Sequence, residues 1–463
     1  MADPISPDDF GASFKGFMQQ MASQGPAEEP FFRKRLTEHF GSDPSKLTII
    51  SERFGDSDHP NLHLAIETFT TAPGRTCELM GIGVELLPYG GLSLASLLAP
   101  AGGGLMGGTP PAEGPVKYLN LELGDGKGLA CVQLGLYLIK DEGRPLVLLV
   151  QAEREMFGSA LKLEVLAPDR PAAEACLSAL RSTMKKRNVY RGHVVSLSTD
   201  EQRTTKVNFH RLPAVAREDI ILPGGLLERI ERQSLGFAKH AEKLLAAKRH
   251  LKRGLLLHGP PGTGKTFTAM YLAGRMPDRT VLLITGRAVN LLSEACAMAR
   301  TLQPATLILE DIDLIAQERQ GEGASTPMLF DLLNQMDGLA EDADILFVLT
   351  TNRPEVLEPA LKSRPGRIDL ALEVPVPDLE CRRRLFELYG RGLKISAPLE
   401  GYLERTQGAS AAFIRELFRR TALYAAEGTG ELELKESHFS EALHEMLLDG
   451  GPLTRSLLGF KAS

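Results

Sequence analysis

The stretch "GPPGTGKT" at 259–266 follows the apolar run "GLLLH" and runs into "FTAMYLAGRM", and no other feature constrains this chain as tightly. In that order the three pieces read as strand, tight turn and helix. Gly259, Gly262 and Gly264 let the backbone turn sharply and aim its N–H groups into an anion-binding cup at the helix start. Pro260, Pro261, Thr263 and Phe267 belong to the same loop and its exit. Lys265 supplies a point charge for the β- and γ-phosphates, and the Thr266 hydroxyl can ligate Mg²⁺. A nucleotide site is the expectation.

From about residue 213, short apolar runs alternate with longer helical stretches, the pattern of a parallel sheet covered by helices on both faces. The strand candidates are "GLLLH", "TVLLIT", "TLILED" and "ILFVLTT". After "VPVPD" the strands give way to helices, which predicts an α/β core over 213–375, a small helical lid over 376–450 and a tail over 451–463. "LILEDID" ends a buried strand in Glu310 and Asp311, where one carboxylate can hold Mg²⁺ and the other polarise an attacking water. Asn352 ends the next apolar run, so its amide could orient that water. Arg364 and Arg367 stand in a Pro/Gly-rich turn, and their spacing alone does not bring them to a nucleotide.

Residues 1–205 read as a separate α+β domain for recognition or assembly. "LHLAIETF" (62–69) and "VKYLNLEL" (116–123) alternate like strands, "CVQLGLYLI" and "LVLLV" are more continuously apolar, and "PAAEACLSALRSTMKKRN" reads as a helix opened by Pro171. The uncharged span from Leu86 to Ala112 is interrupted by Gly and Pro and reads as a mobile loop or linker. Its longest apolar piece, Leu92 to Ala99, is far shorter than the roughly 20 residues a spanning helix needs. His59 and His63 stand four apart, but Pro60 between them argues against the helix that would put both on one face, so no metal is assigned.

Taken together, "GPPGTGKT", "LILEDID", "LFDLLNQMDGL", "TTNRPEVLEPALKSRPGRID" and "TQGASAAFIRELFRRTALYA" resemble the AAA ATPase module with its second region of homology, over roughly residues 213–445. The resemblance implies a homo-oligomeric ring, usually a hexamer, that binds ATP and Mg²⁺ between protomers and hydrolyses the ATP. By that resemblance Lys265 and Thr266 meet phosphate and metal, and Glu310 and Asp311 form the acidic pair. Asn352 becomes the γ-phosphate sensor, and Arg364 and Arg367 become arginine fingers entering the neighbour's site. Ile221, within "EDIILP", and Gly408 and Ala409, within "QGAS", resemble the adenine-side contacts. Two departures stand out. The acidic pair runs Glu then Asp where the family usually has Asp then Glu, and misplacement on the order of 1 Å can lower a rate about 10²-fold. No Phe, Tyr or Trp occurs between Tyr271 and Phe330, where threading members carry a pore aromatic. Val289, Leu291 and Leu292 remain for apolar grip or for ordinary core packing.

The expected function is an ATP-hydrolysing ring that remodels or disassembles a protein client chosen by residues 1–205. The alternative is a nucleotide-gated scaffold or regulator with slow hydrolysis and no threading. The 53 basic and 59 acidic side chains nearly balance, which argues against nucleic acid or anionic membrane as a partner. The basic cluster at 239–254 reads as a solvated helix face. Five scattered cysteines and an acidic N-terminus without an apolar core fit a cytoplasmic protein.

Overall fold

The structure is a computed structural model. It describes residues 11, 13, 15–16, 29–83, 92–99, 111–124, 126–155, 158–200, 204–285, 290–313, 332–336, 338, 343–357, 368–428 and 432–449, with the side chains of 153–160 and 448–449 outside the description. Arg364, Arg367, Val289 and the tail therefore lie outside the described residues. The chain divides into one unit of 1–189 with 200–205 and a second of 190–199 with 206–463.

In the first unit an antiparallel sheet runs in the order β1 (Thr48–Phe54), β7 (Gly158–Ala167), β6 (Arg144–Glu155), β5 (Gly128–Asp141), β2 (Arg75–Gly83), β3 (Ala112–Gly114), with β4 (Lys117–Glu122) also on β5. Two helices, α2 (His59–Thr70) and α4 (Arg170–Lys186), share one apolar cluster with this sheet, which includes Leu62, Ile66, Phe69, Leu148 and Leu177. A second cluster brings α1 (Phe31–Phe40) and α3 (Leu94–Leu98) against Ile82, Leu136 and Val147. Both faces of the sheet are thus covered over β5, β6 and β7.

Three expectations about this unit are corrected. The "LHLAIETF" run is part of helix α2, because Pro60 sits in its first turn, where a missing N–H costs nothing. Leu62, Ala65, Ile66 and Phe69 are buried on one face of it, a helical spacing that a short window cannot tell from alternation. His59 and His63 therefore do share a helix, and both are buried in the unit's interior, with His59 Nε2 2.9 Å from the Val132 carbonyl. Within the supposed linker, Leu94, Leu97 and Leu98 of α3 are core residues. Ser93 caps that helix, and the buried Glu164 carboxylate accepts from Leu94 N at 2.6 Å.

The second unit is built on a seven-stranded sheet in the order β14 (Leu370–Glu373), β10 (Arg253–His258), β13 (Ile345–Thr351), β12 (Ala305–Leu309), β11 (Thr280–Ile284), β8 (Val194–Thr199), β9 (Thr205–His210). Every residue of β12 and β13 is buried, which is why these strands read as unbroken apolar runs. Helices α5 (Leu226–Lys239) and α7 (Lys265–Gly274) pack on Leu255, Leu257 and Val348, with the short α6 (Ala241–Ala246) between them in the chain, while α8 (Leu292–Thr301) packs on β11 and β12. Leu291 and Leu292 are buried, so they serve the core. The sheet also starts earlier than expected: β8 pairs in parallel with β11, Val281 opposite Val194, although its residues had been assigned to the first domain. The half-polar "VVSLST" suits a strand near the sheet margin.

The lid consists of α9 (Leu379–Tyr389), α10 (Glu400–Arg405), α11 (Ala411–Ala426) and α12 (Glu436–His444) around Phe386, Phe413, Phe418 and Phe439. Asp378 and Ser410 cap α9 and α11 by accepting from Cys381 N and Phe413 N.

At the end of the sheet away from the phosphate loop, Arg279 is buried and donates to Asp344 Oδ1 at 2.6 Å, to Ala305 O at 2.6 Å and to Thr306 Oγ1 at 3.2 Å. It ties the starts of β11, β12 and β13 together. Replacing it leaves those acceptors unmatched, so we expect Arg279→Leu to cost on the order of 3 kcal/mol in chemical denaturation, with the second unit melting first.

Candidate nucleotide site

Parallel pairing sets the geometry. His258 lies opposite Thr351, and Leu309 opposite Leu349, so the phosphate loop, the acidic pair and Asn352 all emerge at the same carboxyl edge. That edge is where open parallel sheets bind ligands.

Gly259 follows β10 with φ 140°, and a Cβ there would stand 2.3 Å from the Val374 carbonyl oxygen, so only glycine fits against β14's exit. Lys265 opens α7 and is buried, with Nζ donating to Gly259 O at 2.9 Å and Pro260 O at 2.8 Å. Thr263 Oγ1 also donates to Pro260 O. The lysine is thus folded onto its own loop, positioned beneath the helix N-terminus where phosphate would sit. Burial pushes its ammonium down to about 8, against the pull of Asp311 and Asp313.

Glu310 stands near the Thr266 side chain, and its Oε1 is buried with no partner. Burial, and secondarily the Asp311 charge, raise its carboxyl above the usual range. A buried carboxylate oxygen without a partner, near a threonine hydroxyl, belongs to a donor set that suits a divalent cation. Asp311 stands at φ 48°, a left-handed conformation that side chains other than glycine adopt at a cost. Two bonds hold it there: its N–H donates to Thr350 Oγ1 at 3.1 Å, and its Oδ1 accepts from Asn352 Nδ2 at 3.0 Å. Asp313 was not singled out in the sequence, yet it is buried and accepts from Thr351 Oγ1 at 2.8 Å and Asn352 N at 3.2 Å. It fixes the turn that aims Asn352.

Lys265, Thr266, Asp311 and Asn352 line a cavity of about 690 Å³. Its polar end is formed by Gly262, Thr263, Gly264, Lys265, Thr266, Asp311 and Asn352, and its apolar end by Ile220, Ile221, Leu222, Leu385, Leu388 and Tyr389. Pro261 and Phe267 also line it. Ile221 lies on the apolar wall. Gly408 and Ala409 are not on the wall: Ala409 is fully buried in the lid core, and Ala411, Ala412 and Arg415 of α11 line the cavity instead. Arg415 was missed, although it stands three residues after Ala412 and four after Ala411, the spacings that meet on a helix surface.

The family described as ATPase family associated with various cellular activities (AAA) matches residues 255–376. The second unit carries an AAA ATPase domain. Among similar proteins, an ATP-dependent zinc metalloprotease FtsH of Rhodococcus erythropolis is 31% identical over 235 residues, 48% of this chain and 27% of its own length. A cell division cycle protein 48 homolog of Archaeoglobus fulgidus is 27% identical over 361 residues, 66% of this chain and 49% of its own. A proteasome-activating nucleotidase of Thermococcus onnurineus is 28% identical over 273 residues, 55% and 67% respectively. The chain spans only about a quarter to a half of the first two relatives. Among the described residues of the AAA unit and the rest of the chain, no helix is long and apolar enough to cross a membrane.

The AAA lid touches the phosphate loop directly, since Ala412 N donates to Gly262 O at 3.0 Å. A Cβ on Gly262, where φ is 73°, would stand 2.8 Å from Ser410 Oγ and 2.9 Å from Ala412 Cβ. We expect Gly262→Ala to lose on the order of 1–2 kcal/mol of stability in urea unfolding, from the left-handed backbone alone, and to weaken ATP binding as well. A lysine that is neutral above about 8 offers phosphate no charge, so ATP affinity should fall as pH rises, roughly tenfold per unit beyond that point. Calorimetric titration from pH 7 to 9 measures this, and Lys265→Met should bind weakly with a flat profile.

Proposed function

We propose that this chain is a ring-forming ATPase that converts ATP turnover into remodelling or disassembly of a protein client. The observation that carries this reading is the convergence of Lys265, Thr266, Asp311 and Asn352 on one cavity that also has an apolar slot for a base, with Glu310 next to Asp311 in the chain. Its relatives, among them a proteasome-activating nucleotidase and a cell division cycle protein 48 homolog, support it.

In this reading the loop N–H groups and Lys265 hold the triphosphate of ATP, and Ile221 with the lid's Leu385 and Tyr389 holds the base. Thr266 and Glu310 would hold Mg²⁺, whose chemistry is to neutralise the phosphate oxygens and fix their geometry. Asp311 accepts the proton of the attacking water. Asn352, pinned through Asp313, shares its amide between Asp311 and the terminal phosphate. Because Asn352 holds Asp311 at 3.0 Å, the carboxylate is oriented before any ligand arrives.

Arg364 and Arg367 complete the proposal as fingers from a neighbouring protomer of a hexameric ring, and an isolated subunit would hydrolyse slowly. Cytoplasmic location, and client choice by the first unit, are parts of the same proposal. A nucleotide-gated scaffold remains the second reading, favoured by the absence of any aromatic between Tyr271 and Phe330.

We expect Asp311→Asn to bind ATP with near wild-type affinity and to lose turnover by at least about 10²-fold, read as phosphate release beside a fluorescent-nucleotide titration. Unchanged turnover would remove Asp311 from the chemistry. For the ring, turnover per subunit should rise steeply with protein concentration, and Arg364→Ala/Arg367→Ala should abolish that rise, consistent with the roughly 10³-fold or larger effect of such fingers.

A further inference from the structure

One strand of the first unit is unlike the rest. Five of the six residues of β4 are exposed. Among the described residues of this unit the exposed large apolar side chains are Phe31, Tyr118 and Leu119, and the last two are neighbours on β4, at 53% and 39% exposure. Consecutive strand residues point to opposite faces, so the sheet is uncovered above and below this strand.

The pairing shows what the strand lacks. β6 occupies one edge of β5 over 134–141, so β2 and β4 both lie along the other, β2 against 136–141 and β4 against 128–134. Among the described residues nothing pairs with the outer edge of β4. Sheet edges are ordinarily blunted by proline, an inward charge, a bulge or a cover. Here the only irregularity lies at Lys117/Tyr118, and "YLNLE" runs on without proline. The strand carries one lysine, Lys117, and one glutamate, Glu122, so its charge selects neither a polyanion nor a polycation. What it offers is a row of backbone donors and acceptors with apolar side chains on both faces.

A cavity of about 810 Å³ opens on the same side of β5, lined by Cys77 and Leu79 of β2, Tyr137 of β5, Leu64, Glu67 and Thr71 at α2, and neighbouring groups. Leu79 lies opposite Tyr137, and Tyr118 opposite Val132. The two are therefore five residues apart along β5, roughly 16 Å at about 3.3 Å per residue. An extended chain of about five or more residues spans that distance.

We propose that β4 is a docking edge for an extended, unfolded segment of a polypeptide, which adds as a strand and seats an apolar side chain in the cavity beside β2. In such recognition the main-chain bonds give affinity and the side-chain pocket gives selectivity. The inference rests on the reading of the chain as a machine that acts on protein clients, and it names the chemical state of the client that is engaged.

The test uses the full chain with fluorescein-labelled, reduced and carboxymethylated α-lactalbumin as an unfolded probe, followed by anisotropy. Tyr118→Asp/Leu119→Asp should weaken binding by roughly tenfold or more, and Thr71→Arg, which fills the cavity mouth, by several-fold. Both variants change exposed positions, their thermal melts should match the wild type, and their basal ATP turnover should be unchanged. The proposal is overturned if the wild type does not bind the probe, if it binds disulfide-intact, folded α-lactalbumin equally well, or if both variants bind like the wild type. A smaller assembly of the Tyr118→Asp/Leu119→Asp protein in mass photometry would place a second copy on the edge and overturn it too. If the probe docks through β4 without affecting ATP turnover, docking stands and the machine reading fails. If the probe accelerates turnover equally in wild type and Tyr118→Asp/Leu119→Asp, the reverse holds.

Discussion

The parallel ladder of β10, β13 and β12 is the constraint on which the rest of the second unit depends. Its hydrogen bonds place His258 beside Thr351 and Leu309 beside Leu349; Glu310, Asp311, Asp313 and Asn352 follow within a few residues, and the phosphate loop starts at the residue after His258. The ladder continues into the site: Gly259 N donates to Thr351 O at 3.3 Å, and Asp311 N to the Thr350 hydroxyl at 3.1 Å. A slip of one residue would turn each strand's side chains to the opposite face and move the acidic pair away from Thr266. Apolar burial therefore specifies a polar constellation, because the same register that packs Leu257, Val348 and Ile308 also fixes where the carboxylates end.

This explains which parts were legible in the sequence. Strands buried on both faces are written as unbroken apolar runs, and "GLLLH", "TLILED" and "ILFVLTT" are all strands. Glycine at 259 is legible because no other residue fits there. Elements with one wet face are harder. The half-polar β8 carries no mark of the distant β11 it joins, and the helical face of "LHLAIETF" also satisfies an alternating pattern. Asp313 and Arg415 escaped for a different reason: a buried carboxylate that orients a neighbour, or a cation one turn into a lid helix, has no motif, and only the assembled fold brings it to Asn352 or to the cavity.

The cavity joins two parts of the second unit that have separate apolar cores. Its polar end belongs to the sheet, and much of its apolar end belongs to α9 and α11 of the lid. The Ala412 to Gly262 hydrogen bond adds a backbone link between them at the apex of the phosphate loop. A ligand that pushes Lys265 off the Gly259 and Pro260 carbonyls must rearrange the same loop that the lid grips. Occupancy of the phosphate end and the angle of the lid are thus coupled through a few atoms, without any need for a long relay.

The inverted order of the acidic pair is best judged from this local geometry. Glu310, one methylene longer than an aspartate, stands near the Thr266 side chain, so the longer side chain lies on the side where a metal would be held. Asp311 is one methylene shorter than a glutamate, and its backbone adopts φ 48°, which redirects the residue after β12 has ended. Its carboxylate then meets the Asn352 amide at 3.0 Å. The left-handed backbone costs on the order of 1 kcal/mol or more, and the Thr350 and Asn352 hydrogen bonds are of comparable size, so the conformation is sustained. Side-chain length and backbone turn change together in opposite senses. The swap thereby keeps Asp311 on the cavity wall and Glu310 near Thr266, which also lines it, and the reversed dipeptide is compatible with the division of labour between a metal-side and a water-side acid.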